Sequence, residues 1–321
     1  MIRCRCQRGF SFCTLTVPLL FWLGLTDVSQ LVIAAERLPL QKKKLEIGQP
    51  APYTPELEGY DKKGNPIYWD PKPHVVPLGD GKYAFKWTGH SGRELTLIYQ
   101  RPDDIDVVAE GSAVGAVGSE LDYRYKLRNL PSSKLYLGGF FVQTYSATAQ
   151  AVRDRSVYAG EAAAFVKEFS VGRWFGFSVM TRDPKVLPGK AIIVVLKSRD
   201  LPGLVECRAV GGNLTRQGVG EEPPTVLEDL YLRHDAWPHG YTIGPDERLG
   251  KMSVKERSNY LVQHLPQMLE LGWVEDKATM EWYRDRLQAG KAAEVRARAK
   301  ADFDNNLITS EVLALMTYLL P

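Results

Sequence analysis

Residues 121–128 constrain the fold of this 321-residue chain more than any other segment. Their odd-numbered positions are apolar or aromatic, and their even-numbered positions are charged. Because side chains of a β-strand alternate between two faces, this pattern predicts a strand with one face on a core and the other in water. Asn129 and Pro131 then predict a turn, and a second strand starts at Leu135.

Short β-rich runs separated by Gly, Pro, Asp and Ser continue this pattern across residues 83–215. Eight candidate strands are spaced as in an antiparallel sandwich. The alanine-rich residues 158–169 are compatible with a helical insertion or with an edge excursion, and the pattern does not choose between them. The fold class predicted for residues 83–215 is an antiparallel β-sandwich.

Residues 251–321 change to a helical pattern and predict a small C-terminal helical bundle. Ser253 and Glu256 have the spacing of a capping box, and apolar residues follow at helical intervals. Pro266 is expected to kink or restart this first helix. Three further helices are predicted over residues 276–289, 291–304 and 309–320. Their short connections favour antiparallel neighbours.

Two segments have no clear periodicity. Residues 36–82 are rich in proline, which restricts helices and central strands, so we predict an extended arm. Residues 216–250 are predicted to be a linker. The aromatic side chains of the arm either pack it onto the next domain or stack on a ligand; they are Tyr53, Tyr60, Tyr68 and Trp69.

The first 35 residues have the order of a bacterial secretory signal peptide. Arg3, Arg5 and Arg8 precede an uncharged apolar run over residues 15–25, and the small residue Ala35 suits a cleavage site. The run is shorter than the roughly 20 residues that cross a bilayer comfortably. We therefore predict cleavage near Ala35, a secreted or periplasmic location and no integral membrane span in the mature chain. An uncleaved signal anchor is the alternative.

The charge balance argues against a nucleic-acid partner, and the cysteine content argues against disulfides in the mature chain. The chain has 41 basic and 38 acidic residues, and cleavage removes three arginines and one aspartate, which leaves 38 and 37. A nucleic-acid partner is not expected, because such partners require a concentrated positive field. Cleavage also removes Cys4, Cys6 and Cys13, so the mature chain keeps only Cys207 and has no intramolecular disulfide. We expect this thiol to be buried in an apolar strand.

One cluster of possible metal ligands is present. His234, Asp235 and His239 would offer zinc two imidazoles and a carboxylate if the chain turned at Pro238. Their spacing matches no standard zinc site. The alternative is a loop that packs Trp237 onto the β region or the bundle.

Two tryptophans in predicted strands, Trp87 and Trp174, are candidate ligand-binding residues, because an aromatic face can stack on a sugar ring. Burial in the core is the alternative and the usual fate of a strand tryptophan. Asp103, Asp104 and Asp106 offer oxygen ligands for calcium, with a turn before a strand as the alternative.

No complete catalytic or cofactor motif is found in the sequence. It lacks a Gly-x-Ser-x-Gly nucleophile elbow, a Walker A loop and a dinucleotide fingerprint. We therefore predict no cofactor. Paired carboxylates for glycoside hydrolysis meet only in the folded chain, so spacing does not select them.

Several short motifs resemble known families. Residues 272–274 (GWV), 287–291 (LQAGK) and 308–315 (ITSEVLAL) resemble the FIMAH-type helical domain at the ends of secreted bacterial proteins. Residues 123–125 (YRY) and 129–133 (NLPSS) are similar to parts of the sandwich domains of uncharacterised secreted bacterial proteins. The resemblance implies an extracytoplasmic accessory or interaction role and brings no catalytic residues.

Together these patterns predict an exported, non-catalytic binding or structural protein. A polysaccharide or another extracytoplasmic protein is the expected partner. The alternative is an extracellular carbohydrate-active hydrolase with the helical domain as an accessory. A third hypothesis is metal-dependent sensing through His234 and His239. Function depends on the arrangement of particular sites, so only the folded chain can distinguish these three hypotheses.

Overall fold

The computed structural model describes most of the chain after the predicted signal peptide. The described residues are 37–42, 47–101, 103–152, 166–171, 173–179, 186–212, 220–231 and 237–321. The predicted signal peptide and its cleavage position lie outside them. Within the described residues, the fold combines antiparallel sheets with six helices.

Residues 47–101 contain two small sheets, which we call the small β region. Its strands are β1 (Glu56–Tyr60), β2 (Pro66–Trp69), β3 (His74–Gly79), β4 (Lys82–Thr88) and β5 (Glu94–Gln100). β1 and β2 form a hairpin, and β3, β4 and β5 form a three-stranded sheet. Residues 36–82, predicted to be an extended arm, thus contain three strands. Pro66 starts a strand and Pro77 lies on the edge strand β3, positions that tolerate a missing amide proton.

The small β region has a hydrophobic core of its own. The helix α1 (Thr225–Tyr231) contributes Leu227 to this core. The Trp69 Nε1 donates a hydrogen bond to the Thr88 carbonyl oxygen at 2.9 Å and thereby ties the hairpin to β4. The buried side chains of this core are Trp69, Val75, Phe85, Trp87, Leu97, Tyr99 and Leu227.

The other described residues, apart from α1, form what we call the larger region, which contains two further antiparallel sheets. The four-stranded sheet has the order β6-β7-β12-β9, formed by β6 (Val107–Val114), β7 (Leu121–Asn129), β12 (Ala191–Ser198) and β9 (Gln150–Ala151). The five-stranded sheet has the order β10-β11-β8-β13-β14, formed by β10 (Val166–Val171), β11 (Trp174–Val179), β8 (Leu137–Gln143), β13 (Leu201–Gly211) and β14 (His239–Asp246). Residues 166–169 of the ambiguous alanine-rich segment therefore belong to an edge strand, and residues 158–165 lie outside the described residues.

Strand β7 confirms the alternation seen in the sequence. Leu121, Tyr123, Tyr125 and Leu127 are buried, and the charged residues between them lie on the other face. The Tyr125 ring centroid lies 5.5 Å from that of Phe140 in β8. The four-stranded and five-stranded sheets therefore meet through aromatic side chains.

Residues 216–250, predicted to be a linker, contain a strand of the five-stranded sheet. β14 pairs with β13 from Leu201 opposite Asp246 to Arg208 opposite His239. Ile243 of β14 is fully buried. The pattern missed this strand because it contains two glycines and a proline, which are depleted from strands.

The C-terminal helices lie close to their predicted bounds. They are α3 (Val254–Glu270), α4 (Lys277–Gln288), α5 (Ala292–Asp304) and α6 (Ser310–Leu319), preceded by the short α2 (Glu247–Gly250). The predicted capping box is confirmed, with reciprocal hydrogen bonds between Ser253 and Glu256. α3 continues through Pro266 and does not restart there. None of the helices in the described ranges has the length and apolar character needed to span a membrane.

The larger sheets and the helices share one hydrophobic core. α6 packs against β6, β13 and β14. Its residues Val312, Leu315 and Met316 are fully buried, in the same cluster as Tyr125 and Phe140. A helix that is apolar on most of its surface is typical of such a central position.

The first described segment is bound into the same body. The Leu40 amide donates to the Val107 carbonyl oxygen at 2.8 Å. The Arg37 Nη1 lies 2.6 Å from Oε1 of Glu311, whose side chain is fully buried. The Gly111 amide donates to the same carboxylate oxygen. A buried carboxylate requires such partners, so Arg37 is part of the folded core.

Candidate functional site

Trp174 lies on the outer face of the five-stranded sheet. The next residue, Phe175, is buried, so strand alternation directs Trp174 away from the core. The Trp174 side chain is half-buried. The Arg208 guanidinium carbon lies 4.6 Å from the centroid of its ring, and this cation–π contact holds the two side chains together.

Further side chains share this face. In the sheet register, Arg208 lies opposite Phe141 of β8 and opposite His239 of β14. Trp174 lies opposite Gln143. Because paired residues project from the same side of a sheet, these positions form one surface across four strands. We call it the outer sheet face, formed by Trp174, Phe141, Gln143, Arg208, Glu206, Tyr241 and His239.

The polar groups of the outer sheet face are only weakly tied to one another. The Glu206 Oε2 and the Arg208 Nη2 are 3.9 Å apart, and both side chains are partly exposed. This distance is too long for a direct hydrogen bond. An exposed pair of this kind contributes little to stability. A carboxylate and a guanidinium with hydrogen-bonding capacity therefore lie beside the half-buried indole of Trp174.

The loop before β14 covers part of this surface. The Trp237 ring centroid lies 4.9 Å from that of Phe141, with the ring planes tilted by 36°. Both side chains are half-buried. Trp237 therefore packs onto β8 of the five-stranded sheet.

The predicted metal site is only partly within the described residues. His234 and Asp235 lie outside them. His239 is exposed at the first position of β14, with its Nδ1 3.4 Å from the Trp237 carbonyl oxygen. Across the described ranges, no group of three or more His, Cys, Asp or Glu residues is arranged to hold a metal ion. The zinc site therefore stays a prediction.

Trp87, the other candidate tryptophan, occupies the core of the small β region. Only 1% of it is exposed. Both faces of its ring are covered, so it has no surface on which a sugar could stack, and the core-burial alternative holds at this position. Its Nε1 has no hydrogen-bond partner among the described residues. An N–H left unpaired in a core costs stability.

The three aspartates considered for calcium have separate partners. Asp103 pairs with Arg101 through two hydrogen bonds. Asp106 lies 2.6 Å from Lys42 Nζ. Asp104 accepts a hydrogen bond from the Gln100 side chain, and burial raises the pKa of its carboxyl. These aspartates thus lie in the turn between β5 and β6, which was the alternative interpretation.

Cys207 is fully buried in β13, as expected from its apolar surroundings. Burial is the main cause that raises the pKa of its thiol, and the charge of Glu311 adds to the effect. A thiol with a raised pKa holds its proton and is a poor nucleophile. This side chain therefore serves as a small apolar group of the core.

Five residues of the outer sheet face were not predicted from the sequence: Phe141, Gln143, Glu206, Arg208 and Tyr241. A signal for Glu206 was present, because Glu206 and Arg208 alternate with Val205, Cys207 and Ala209 along one predicted strand. That period of two already places both charges on the side away from the core. The neighbours from β8 and β14 required the strand order.

Comparison with protein-family models, with curated proteins and with solved structures finds no match to this chain. The candidate site therefore stands on its geometry alone.

Proposed function

We propose that this protein is an exported, non-catalytic binding protein that recognises a polysaccharide through its outer sheet face. The observation that carries the proposal is the half-buried Trp174 ring, held by Arg208 at the surface of a sheet. An aromatic ring offers an apolar face to a sugar ring. Ligand sites commonly combine such rings with a few polar groups that fix orientation.

The polar neighbours of Trp174 suit the hydroxyl groups of a sugar. The Gln143 amide both donates and accepts hydrogen bonds, the Glu206 carboxylate accepts, and the Arg208 guanidinium donates. Because Glu206 and Arg208 do not form a direct hydrogen bond with each other, both remain able to contact a ligand. This mixture favours a carbohydrate over a purely apolar ligand.

The proposal includes a finer description of the fold. In it, the four-stranded and five-stranded sheets form a β-sandwich, and α3 to α6 form a FIMAH-like helical bundle. The contact between Tyr125 and Phe140 supports the sandwich, because these residues come from the two different sheets. Packing of α3 on α4, α4 on α5, α5 on α6 and α3 on α6 supports the bundle.

Export after cleavage near Ala35 is also part of the proposal. The ion pair between Arg37 and Glu311 supports it, because a cut at that position would leave the pair intact. The mature chain would then retain the contacts of its first described segment.

The test is binding of residues 36–321 to an array of polysaccharides, with release of soluble sugars measured in parallel. We expect binding without turnover. Trp174→Ala should weaken binding by at least about tenfold, because central aromatic anchors dominate recognition. Sugar release would instead favour the carbohydrate-active hydrolase, and absence of binding to any polymer would overturn the proposed ligand.

A matched control is present in the helices. The Arg298 guanidinium carbon lies 4.1 Å from the ring centroid of Trp282 in α4, so the same type of contact occurs away from the outer sheet face. Trp282→Ala should leave polymer binding unchanged, provided that circular dichroism shows both variants to be folded. Equal binding by wild type and a folded Trp174→Ala variant would exclude this surface.

A further inference from the structure

The outer sheet face contains a row of four side chains that crosses four neighbouring strands. Trp174 of β11 lies opposite Gln143 of β8, and Glu206 of β13 lies opposite Tyr241 of β14. The ladder between β8 and β13 reaches the position before Gln143, and its register brings Gln143 and Glu206 next to each other. We call these four residues the cross-strand row.

Both ends of the cross-strand row are aromatic. Neighbouring strands lie about 4.8 Å apart, so three strand spacings separate Trp174 from Tyr241 by roughly 14 Å. A single sugar ring is too small to contact both aromatic rings. A carbohydrate that contacts both of them must therefore be a chain of several units.

The cross-strand row is accessible along its length. All four of its side chains are partly exposed. The neighbouring row on the same face consists of Phe141, Arg208 and His239. Trp237 packs on Phe141 with the ring centroids 4.9 Å apart, so the loop before β14 covers part of the neighbouring row. That loop borders the cross-strand row at β8.

The polar groups between the two aromatic rings are able to contact a ligand. Across the described ranges, neither the Gln143 amide nor the Tyr241 hydroxyl forms a hydrogen bond. The Glu206 Oε2 lies 3.9 Å from the Arg208 Nη2, which is too long for a direct hydrogen bond. The row thus offers an amide, a carboxylate and a phenol hydroxyl, which together donate and accept hydrogen bonds.

We propose that the outer sheet face binds an internal segment of an extended polysaccharide of the cellulose or chitin type along the cross-strand row. This inference rests on the proposed polysaccharide binding and adds the form of the polymer. One sugar ring would stack on Trp174 and another on Tyr241. The hydroxyl groups between them would form hydrogen bonds with Gln143 and Glu206.

The shape of the cross-strand row favours an extended chain over a coiled one. The linkages of cellulose and chitin keep successive sugar rings in line, so rings several units apart can reach both ends of the row. A starch-type chain curves and turns away from such a row. Stacking at Trp174 and Tyr241 requires no chain end, so an internal segment is sufficient.

The charges of the outer sheet face favour an uncharged polymer. Glu206 carries the one carboxylate of the cross-strand row, and the Arg208 guanidinium lies beside it. The two charges offset each other, which gives neither a polyanion nor a polycation a strong electrostatic advantage.

The test measures affinity as a function of chain length. Residues 36–321 are titrated in a calorimeter with oligosaccharides of the cellulose and chitin series, from the disaccharide to the hexasaccharide. In at least one series, the hexasaccharide should bind at least about tenfold more tightly than the disaccharide, because its second contact is intramolecular. Maltohexaose, which has a coiled chain, should bind at least about tenfold more weakly than that hexasaccharide.

Variants of Tyr241 test the second aromatic contact. Tyr241→Ala should bring the ratio of hexasaccharide to disaccharide affinity close to one, whereas Tyr241→Phe keeps the ring and should retain most of this ratio. A partly unfolded sample lowers the amount of binding but not the ratio of two affinities. Tyr60→Ala changes a tyrosine that is 66% exposed in β1 and should keep the wild-type ratio.

The two proposals can fail separately. If no polysaccharide of the array binds, the proposed function fails and the extended site fails with it. Binding that depends on Trp174 but does not increase with chain length would overturn only the extended site. The same holds if neither oligosaccharide series binds, if maltohexaose binds equally well, or if Tyr241→Ala keeps the wild-type ratio.

Discussion

The small β region and the larger region differ in the size and composition of their hydrophobic cores. Seven buried side chains form the core of the small region, and one short helix covers it through Leu227. The larger region buries residues from Leu40 to Leu320 in one cluster that includes sheets and helices. A small core can bury fewer apolar side chains, which is one reason why the hairpin beside it exposes Tyr60 and Tyr68.

The two regions also differ in their charged groups. The larger region buries Glu311 and neutralises it with Arg37. In the small region, the pair of Glu58 and His90 lies at the surface. Removing one partner of a buried pair leaves an uncompensated charge, whereas surface pairs contribute little. The larger region should therefore be far more sensitive to loss of a single charge.

The largest expected effect is loss of the buried ion pair. Arg37→Met should lower the free energy of unfolding of residues 36–321 by about 3–5 kcal/mol in urea titrations, because it leaves Glu311 buried and unpaired. The double variant with Glu311→Gln should recover part of this loss. A change below about 1 kcal/mol in the single variant would contradict the burial of this pair.

A second variant tests whether the two cores respond separately. Phe85→Ala should remove about 3–5 kcal/mol from the core of the small region. Hydrogen exchange should then accelerate in β3, β4 and β5, while the amides of β7 and β13 stay protected. Tyr60→Ala, which changes an exposed residue of the same region, is the control. Equal acceleration in both regions would show that they unfold as one unit.

The smallest of the three effects concerns alkaline pH. Burial raises the pKa of Tyr260 to about 12 from its ordinary value of 10.0. Because the folded-state pKa lies above the unfolded value, its contribution to stability is complete below pH 10 and is lost as the pH rises to about 12. This loss corresponds to about 2–3 kcal/mol.

Unfolding titrations between pH 9 and pH 12 measure this dependence. Tyr260→Phe should be less stable at pH 9, because the Leu204 amide loses its acceptor. Its stability should then fall less steeply with pH than that of the wild type. Tyr60→Phe, which changes an exposed tyrosine, is measured as the control. An unchanged slope in Tyr260→Phe would contradict the raised pKa.

Patterns local in sequence predicted much of the fold. The alternation that begins at Leu121 predicted the strand β7. The spacing of Ser253 and Glu256 predicted the capping box at the start of α3. Both rest on interactions between residues close in the chain. The strand β14 was missed because its glycines and proline carry no strand signal, and pairing with β13 is what makes it a strand.

The candidate site could be predicted only in part. Trp174, named as a candidate ligand-binding residue, is half-buried on the outer sheet face, whereas Trp87 was named on the same argument and is buried. The two tryptophans lie in similar apolar strands, so their local sequences do not distinguish them. Neighbouring elements do, because Trp87 shares its core with Leu227 of α1, more than a hundred residues away.

By itself, the sequence determined the change from β-structure to helices and the limits of α3 to α6. It also determined the direction in which the side chains of β7 point. Each of these depends on residues that are close together in the chain. Only the tertiary structure decided which strands are neighbours. That order brings Phe141, Arg208 and His239 onto one face and places Arg37 against Glu311. Such long-range contacts depend on packing of the whole chain, which no local pattern contains.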